Sequence, residues 1–247
     1  MATLDFDYAH GTVISNQYIS QGITISVEGG QDIGIVYDSE LAGINGGSID
    51  GADTDLERLS SAGNTLDWDG GNLGADYHAG GLLIIQENAP ESSVPTYGSG
   101  ANQVTSASNY NPDDNSGGGV ITFEIDESNF DYHYFNVILA DFEEEGANYS
   151  TTLYGVNGTI ETFSFADFTD PNHASYDSSI TSGDNHINSL PEISLSTGEA
   201  LSKVDIAFDS SSGSVSNIIF SEIPVPEPSS ISLLGIGLLA LISRRKR

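Results

Sequence analysis

The sequence has no cysteine, a single methionine and a single tryptophan, and only six lysines and arginines among 247 residues. Without cysteine there is no disulfide framework and no thiolate metal site, so a loop-rich extracellular domain needs some other staple. Positive charge is scarcer than the count suggests. Arg244, Arg245, Lys246 and Arg247 supply four of the six cations, which leaves Arg58 and Lys203 to face 36 Asp and Glu residues. A net charge of −30 repels phosphate backbones and anionic lipid while concentrating cations, and it excludes nucleic acid as a partner. The sequence also lacks a GxSxG turn, a catalytic cysteine and a glycine-rich phosphate loop opening a helix. Two cations cannot clamp an anionic transition state, so kinases, phosphatases and nucleotide-dependent enzymes are set aside. No repeat of roughly 20 to 50 residues points to a solenoid or propeller.

Hydrophobic residues make up 38% of the chain, with 11 Tyr and 10 Phe, enough to build a core despite the acidity. No amphipathic helix stands out in the body. Short strand-like runs bounded by Gly, Asn, Asp and Ser recur instead, at Thr3 to Phe6, Ile23 to Val27, Ile33 to Tyr37, Leu82 to Gln86, Gly119 to Ile125, Tyr132 to Leu139, Ser150 to Val156, Thr159 to Phe165, Leu201 to Phe208 and Val215 to Phe220. This spacing predicts an all-β fold, a single antiparallel β-sandwich of jelly-roll type over residues 1–220. Asn157-Gly158 carries a type I′ hairpin signal. Three longer connections interrupt the strands, at Leu41 to Ala79, Asn88 to Gly118 and Asp167 to Pro191, and connections of that length are usually functional or stapled.

The loops are where chemistry is expected. Calcium takes oxygen ligands from carboxylates, amides and carbonyls, and Asp-, Asn- and Gly-rich loops supply them. GADTDLE offers Asp53, Asp55 and Glu57, and NPDDNSGGG offers Asn111, Asp113, Asp114 and Asn115. The second stretch is a poor EF-hand, with Ser116 in place of the sixth-position glycine and Thr122 in place of the final glutamate. The alternative is several loops around one ion, with Asp53 and Asp55 meeting Glu87, Asp113 or Asp114, and Asp38 or Asp141 at other strand ends. Calcium then replaces disulfides as the staple. With 36 acids, most must be plain solvated surface. The histidines occur singly, with no HxH or HExxH spacing; His173 and His186 share an acidic loop, where a surface role is expected.

A sugar ligand is read from aromatics placed beside hydrogen-bonding side chains. TLDWDGGNLGADYH gathers Trp68 and Tyr77 with Asp67, Asp69, Asn72 and Asp76, and the next loop adds Tyr97 and Tyr110. Trp68 is equally the expected plug of its own loop. Paired carboxylates also suit glycoside hydrolysis, so a glycan-acting extracellular hydrolase is one alternative to a binding module. A purely structural matrix protein is the other.

The chain closes with VPEPSSISLLGIGLLALISRRKR. Its apolar run, Ile231 to Ile242, falls short of the ~20 residues that span a bilayer core comfortably. Prolines at 224, 226 and 228 precede it, and the basic cluster follows, which by the positive-inside rule keeps the far end cytoplasmic and the acidic body outside. The order Pro226-Glu227-Pro228, hydrophobic helix and terminal basic cluster resembles the PEP-CTERM sorting signal of Gram-negative bacteria. The resemblance implies recognition by an exosortase-type processing enzyme, transient inner-membrane insertion through the helix over residues 231–247, and delivery to the envelope, surface or biofilm matrix of an exopolysaccharide-producing cell. Residues 221–230 read as a proline-rich linker. A protein so sorted is expected to carry an N-terminal secretory leader, whereas MATLDFDYAH runs straight into a strand pattern; the expectation is a true start upstream. The body, through LDFD, QYISQGITIS, GADTDLE, GGLLIIQE and NPDDNSGGGVITFEI, more loosely resembles a domain common in such proteins. That implies a calcium-stabilised β-sandwich similar to lectin or carbohydrate-binding modules. The resulting expectation is a surface or matrix protein whose acidic sandwich binds calcium and exopolysaccharide.

Overall fold

Alternating side chains along GGVITFEI and LSKVDIAFD bury one face and leave the other open, the signature of strands that cover a core on one side. The computed structural model describes residues 1–40, 56, 68–97, 103–142 and 148–223. Within them the chain is nearly all β, and every pairing between named strands is antiparallel. The strands are β1 (Ala2–Leu4), β2 (Val13–Ile14), β3 (Ile23–Glu28), β4 (Gly34–Asp38), β5 (Gly81–Ile85), β6 (Thr96–Tyr97), β7 (Val104–Thr105) and β8 (Gly118–Ile125). They continue with β9 (Tyr134–Phe142), β10 (Asn148–Gly155), β11 (Ile160–Ser164), β12 (Gly183–Ser189), β13 (Ile193–Ser194), β14 (Leu201–Asp209) and β15 (Ser214–Ser221).

One sheet runs β12-β9-β15-β5-β4-β2, with β1 added to β15 and β13 to β9, and the other runs β11-β10-β14-β8-β3. Residues from both, among them Leu83, Val137 and Phe220 from the first and Ile25, Phe123 and Ile206 from the second, form one buried cluster between the sheets. The expected sandwich is therefore present. The hydrophobic tail helix and, from residue 224 on, the linker expected before it lie outside the described residues, while Ser221, expected to open that linker, is the last residue of β15.

The first long connection does something the sequence did not reveal. The outer face of the first sheet carries a second buried cluster, in which Ile35, Tyr37, Leu82, Ile84, Ala140 and Ile187 pack with Trp68 and Leu56 from that connection. The segment around residues 69–72 also runs along the free edge of β12: Asp69 N–H donates to the Asn185 carbonyl at 3.0 Å and Ile187 N–H to the Gly70 carbonyl at 3.0 Å. Asn72 completes the strap, its side-chain amide donating to the Ser189 carbonyl (2.9 Å) while its oxygen accepts from Ser189 N–H (2.7 Å). An edge that would otherwise template pairing with another chain is thereby occupied.

Two local expectations are revised. The third acidic connection contains structure, a one-turn helix α1 (Phe165–Thr169), whose capping box joins Ser164 and Asp167, followed by strand β12. Phe165 and Phe168 are buried beneath that turn, so the polar residues around it masked a local apolar anchor. The β10–β11 hairpin forms, but not through a type I′ turn. Only Gly158 has a positive φ, 93°, and its N–H closes on the Gly155 carbonyl at 3.0 Å, whereas type I′ needs positive φ at both central residues.

Candidate functional site

Strand register sorts the expected metal ligands by the end of the sandwich they occupy. Asp38 pairs with Gly81 at one end of the β4–β5 ladder, while Gly34 pairs with Ile85 at the other. Glu87, just past β5, therefore lies about 20 Å from Asp38, at ~3.4 Å per residue. Asp113, Asp114 and Asp141 lie at the Glu87 end. Asp114 forms a bridge with Gln86, Glu87 N–H donates to the Asp113 carbonyl at 2.9 Å, and Asp141 follows Ala140, which pairs with Ser214 at the start of β15.

At this acidic corner Asp114 and Asp141 are buried. The Gly213 N–H donates to Asp114 Oδ2 at 2.9 Å and Asn185 N–H to Asp141 Oδ1 at 3.1 Å. A Cβ on Gly213 would stand 3.4 Å from the Asp141 main-chain carbonyl, so the turn before β15 bonds the Asp114 carboxylate and packs against the Asp141 backbone. Glu87 accepts from the Ser116 hydroxyl at 3.2 Å, and Asp113 accepts from the Asn88 amide. Asp38 belongs to a different setting. Its N–H donates to His10 Nδ1 at 3.1 Å, and burial, with Glu40 and Asp7 nearby, raises its carboxyl above the usual carboxylate range.

These acids do not by themselves complete a metal site. Among the described residues no three His, Asp or Glu side chains gather into a group able to hold a metal ion. Asp53 and Asp55 lie outside the described residues. The EF-hand frame is interrupted by the fold: Asn115 closes a turn, its carbonyl accepting from Gly118 N–H at 2.9 Å, and Thr122 is already mid-strand. Other loop acids serve as local turn closers. Asp126, Asp170 and Asp177 accept from Ser128 and Asn129, from Asn172 and from Ser179, and these hydrogen bonds hold each carboxyl below its ordinary range. His173 lies 3.8 Å from Asp167, whereas His186 Nδ1 faces Thr181 at 3.1 Å.

The aromatics expected to stack on sugar divide in the same way. Trp68 is 2% exposed, and its indole N–H donates to the Tyr77 carbonyl at 2.8 Å. It is the plug of its own loop, and in this fold neither ring face is open to a ligand. Tyr97 is also buried, its hydroxyl donating to Asn111 Oδ1 at 2.7 Å, and burial pushes that phenol up to about 12. Tyr77 and Tyr110 are half-buried against the outer cluster. A small polar hollow of about 240 Å³ beside Tyr97 is lined by Glu91, Ser93, Thr96 and Asn111.

Sequence reasoning passed over the exposed face of the second sheet. Strand register sets its outward residues in rows across all five strands, the middle one reading Thr162, Thr152, Asp205, Thr122, Ser26. Alternation along each strand carried that signal, but the rows needed the register. Lys203 sits on this face, 2.8 Å from Asp205 and 3.8 Å from the centre of the Tyr154 ring.

A family model for the PEP-CTERM protein-sorting motif matches residues 224–247, which contain Pro226, Glu227, Pro228 and the basic cluster from Arg244 to Arg247. No curated protein and no solved structure matches the chain.

Proposed function

We infer from the PEP-CTERM sorting motif at residues 224–247 that this exported protein is recognised by an exosortase-type enzyme and delivers its acidic β-sandwich to the cell surface or extracellular matrix. The motif match carries the reading. Position supports it, because the last strand among the described residues ends at Ser221 and the motif begins at residue 224. Produced with an exosortase in a Gram-negative host, behind a fused secretory leader, the chain is expected to lose its tail near Pro226 and leave the inner membrane. Replacing Pro226, Glu227 and Pro228 with alanine should leave it full length and membrane-held. Intact-mass spectrometry of both fractions is the test, and identical processing of the variant overturns the reading.

Two further parts of this reading concern what the sandwich does once outside. The first is that calcium staples the acidic corner, in place of the disulfides the chain lacks. Support comes from two buried carboxylates at one end of the sandwich, Asp114 bonded by the Gly213 N–H and Asp141 bonded by the Asn185 N–H, and from oxygen-only donors of the kind calcium takes. After exhaustive chelation, millimolar calcium is expected to raise the melting temperature by several degrees. Asp114→Asn and Asp141→Asn should each abolish that rise, and an unshifted wild-type melt removes calcium from the account. The second is that the sandwich, with the jelly-roll or lectin-like kinship expected from its sequence, holds exopolysaccharide. Burial of Trp68 and Tyr97 argues against those two rings as its stacking platforms.

A further inference from the structure

The second sheet ends, at its Glu28 and Asp209 side, in an open cleft of about 510 Å³. Small residues make its floor: Gly118, Gly119, Val120, Ala207 and Ser150 line it, with the Glu28 and Asp209 carboxylates and Ser210 also in the lining. Volumes of this size hold small ligands. The floor continues into the row of Thr162, Thr152, Asp205, Thr122 and Ser26, which lies two residues further along each strand. Five strands at ~4.8 Å spacing make that row about 19 Å long. Its polar groups already point across the strands, with Thr152 and Thr162 hydroxyls 3.0 Å apart and Thr122 donating to Asp205 at 2.8 Å.

We propose that this face and its cleft bind an uncharged polysaccharide, laid across the strands and anchored at the Glu28 end. The proposal rests on the glycan-binding part of the reading above and gives it a site. Charge selects the ligand: Glu28, Glu124, Asp205 and Asp209 surround the face, and Lys203 is already paired with Asp205, so a polyuronate or a phosphorylated glycan is repelled. Chemistry agrees, since hydroxyls that both donate and accept, together with acceptor carboxylates, match the hydroxyls of a neutral sugar. Tyr154 is not a free stacking platform, because the Lys203 ammonium lies over its ring. Recognition here is through hydrogen bonds and shape, which fits a floor of small side chains.

The test is affinity electrophoresis of the full chain in gels containing hydroxyethylcellulose, dextran or alginate. Retardation is expected in at least one neutral gel and not in alginate. Ala207→Tyr fills the cleft from its floor and should weaken retardation at least tenfold. The exposed double variant Thr152→Ala, Thr162→Ala should weaken it without touching the cleft, and both variants should keep the wild-type circular dichroism spectrum. Wild-type retardation that survives in both variants but is lost on Tyr97→Ala or Tyr110→Ala overturns this site and leaves glycan binding to the loops. No retardation of the wild-type chain in any gel overturns the glycan reading itself, and retardation in alginate alone overturns the assignment to an uncharged chain.

Discussion

His10 is buried between two tyrosine rings, 5.1 Å from Tyr37 and 4.9 Å from Tyr97, both edge-on. Its Nδ1 accepts the Asp38 N–H, so the ring proton sits on Nε2, which is buried with no hydrogen-bond partner among the described residues. Burial lowers its pKa from 6.5 to about 4. Below 6.5 the unfolded chain takes up a proton that the folded chain refuses until about 4, so stability is lost as the pH falls through that window. Between pH 7 and pH 5 the loss from this residue is about 2 kcal/mol. Asp38 works in the opposite sense, because its raised pKa lets the fold accept a proton before the unfolded chain does. Urea midpoints at the two pH values should therefore show a steep wild-type slope that flattens in His10→Gln and steepens in Asp38→Asn. Neither the slope nor its cause is legible in the sequence, where His10 is a lone histidine in a turn; only the fold brings Tyr97 from a distant connection onto it. Trp68 illustrates the same limit. Plug and stacking platform have the same residue type and the same polar neighbours, and only burial separates them.

At the scale of elements, strands were readable because apolar alternation fixes both their position and their buried face, as in Gly118–Ile125 and Leu201–Asp209. Register was not readable, and with it went the grouping of acids. Asp38 and Glu87 are both strand-end carboxylates in the sequence, yet the β4–β5 ladder sends them to opposite ends. The role of the first long connection was hidden for a related reason, since a strap is defined by the edge it covers. That strap makes a prediction. Gly71 has a φ of 98°, and a Cβ there would stand 1.8 Å from the Ile187 carbonyl, so Gly71→Ala should force the segment off β12. Asn72→Ala removes two hydrogen bonds at the same edge and is expected to cost about 1–3 kcal/mol. In both variants amide exchange at residues 187–189 should accelerate relative to β14, and the opened edge should promote concentration-dependent self-association. Unchanged exchange at those amides would mean that β12 is held by β9 alone.

On the scale of the whole molecule, β15 gives the sandwich a direction. It begins beside the acidic corner, where Ser214 pairs with Ala140 and Ile84, and ends at Ser221, opposite Tyr134. Its eight residues span about 27 Å at ~3.4 Å each, so β15 ends far from Asp114, Asp141 and the cleft. A body tethered through that tail would hold both away from an anionic membrane surface, and the turn from Ser210 to Gly213 serves both, lining the cleft at one residue and bonding Asp114 at another. The same geometry predicts that tail and sandwich are energetically independent. Among the described residues the last buried side chain is Phe220, and beyond Ser221 they show an exposed ion pair, Met1 ammonium to Glu222 at 3.1 Å, of a kind worth about 0–1 kcal/mol and retained in residues 1–223. Residues 1–223 are therefore expected to melt within about 2 °C of the full chain, since a 1 kcal/mol change moves a domain of this size by roughly 2–4 °C. Stopping at residue 213 removes a strand paired with β1, β5 and β9 and should abolish the cooperative melt. Calorimetry of the three lengths decides the matter. A large drop already at 1–223 would make the apolar tail part of the core, and exosortase could then remove it only by destabilising its own product.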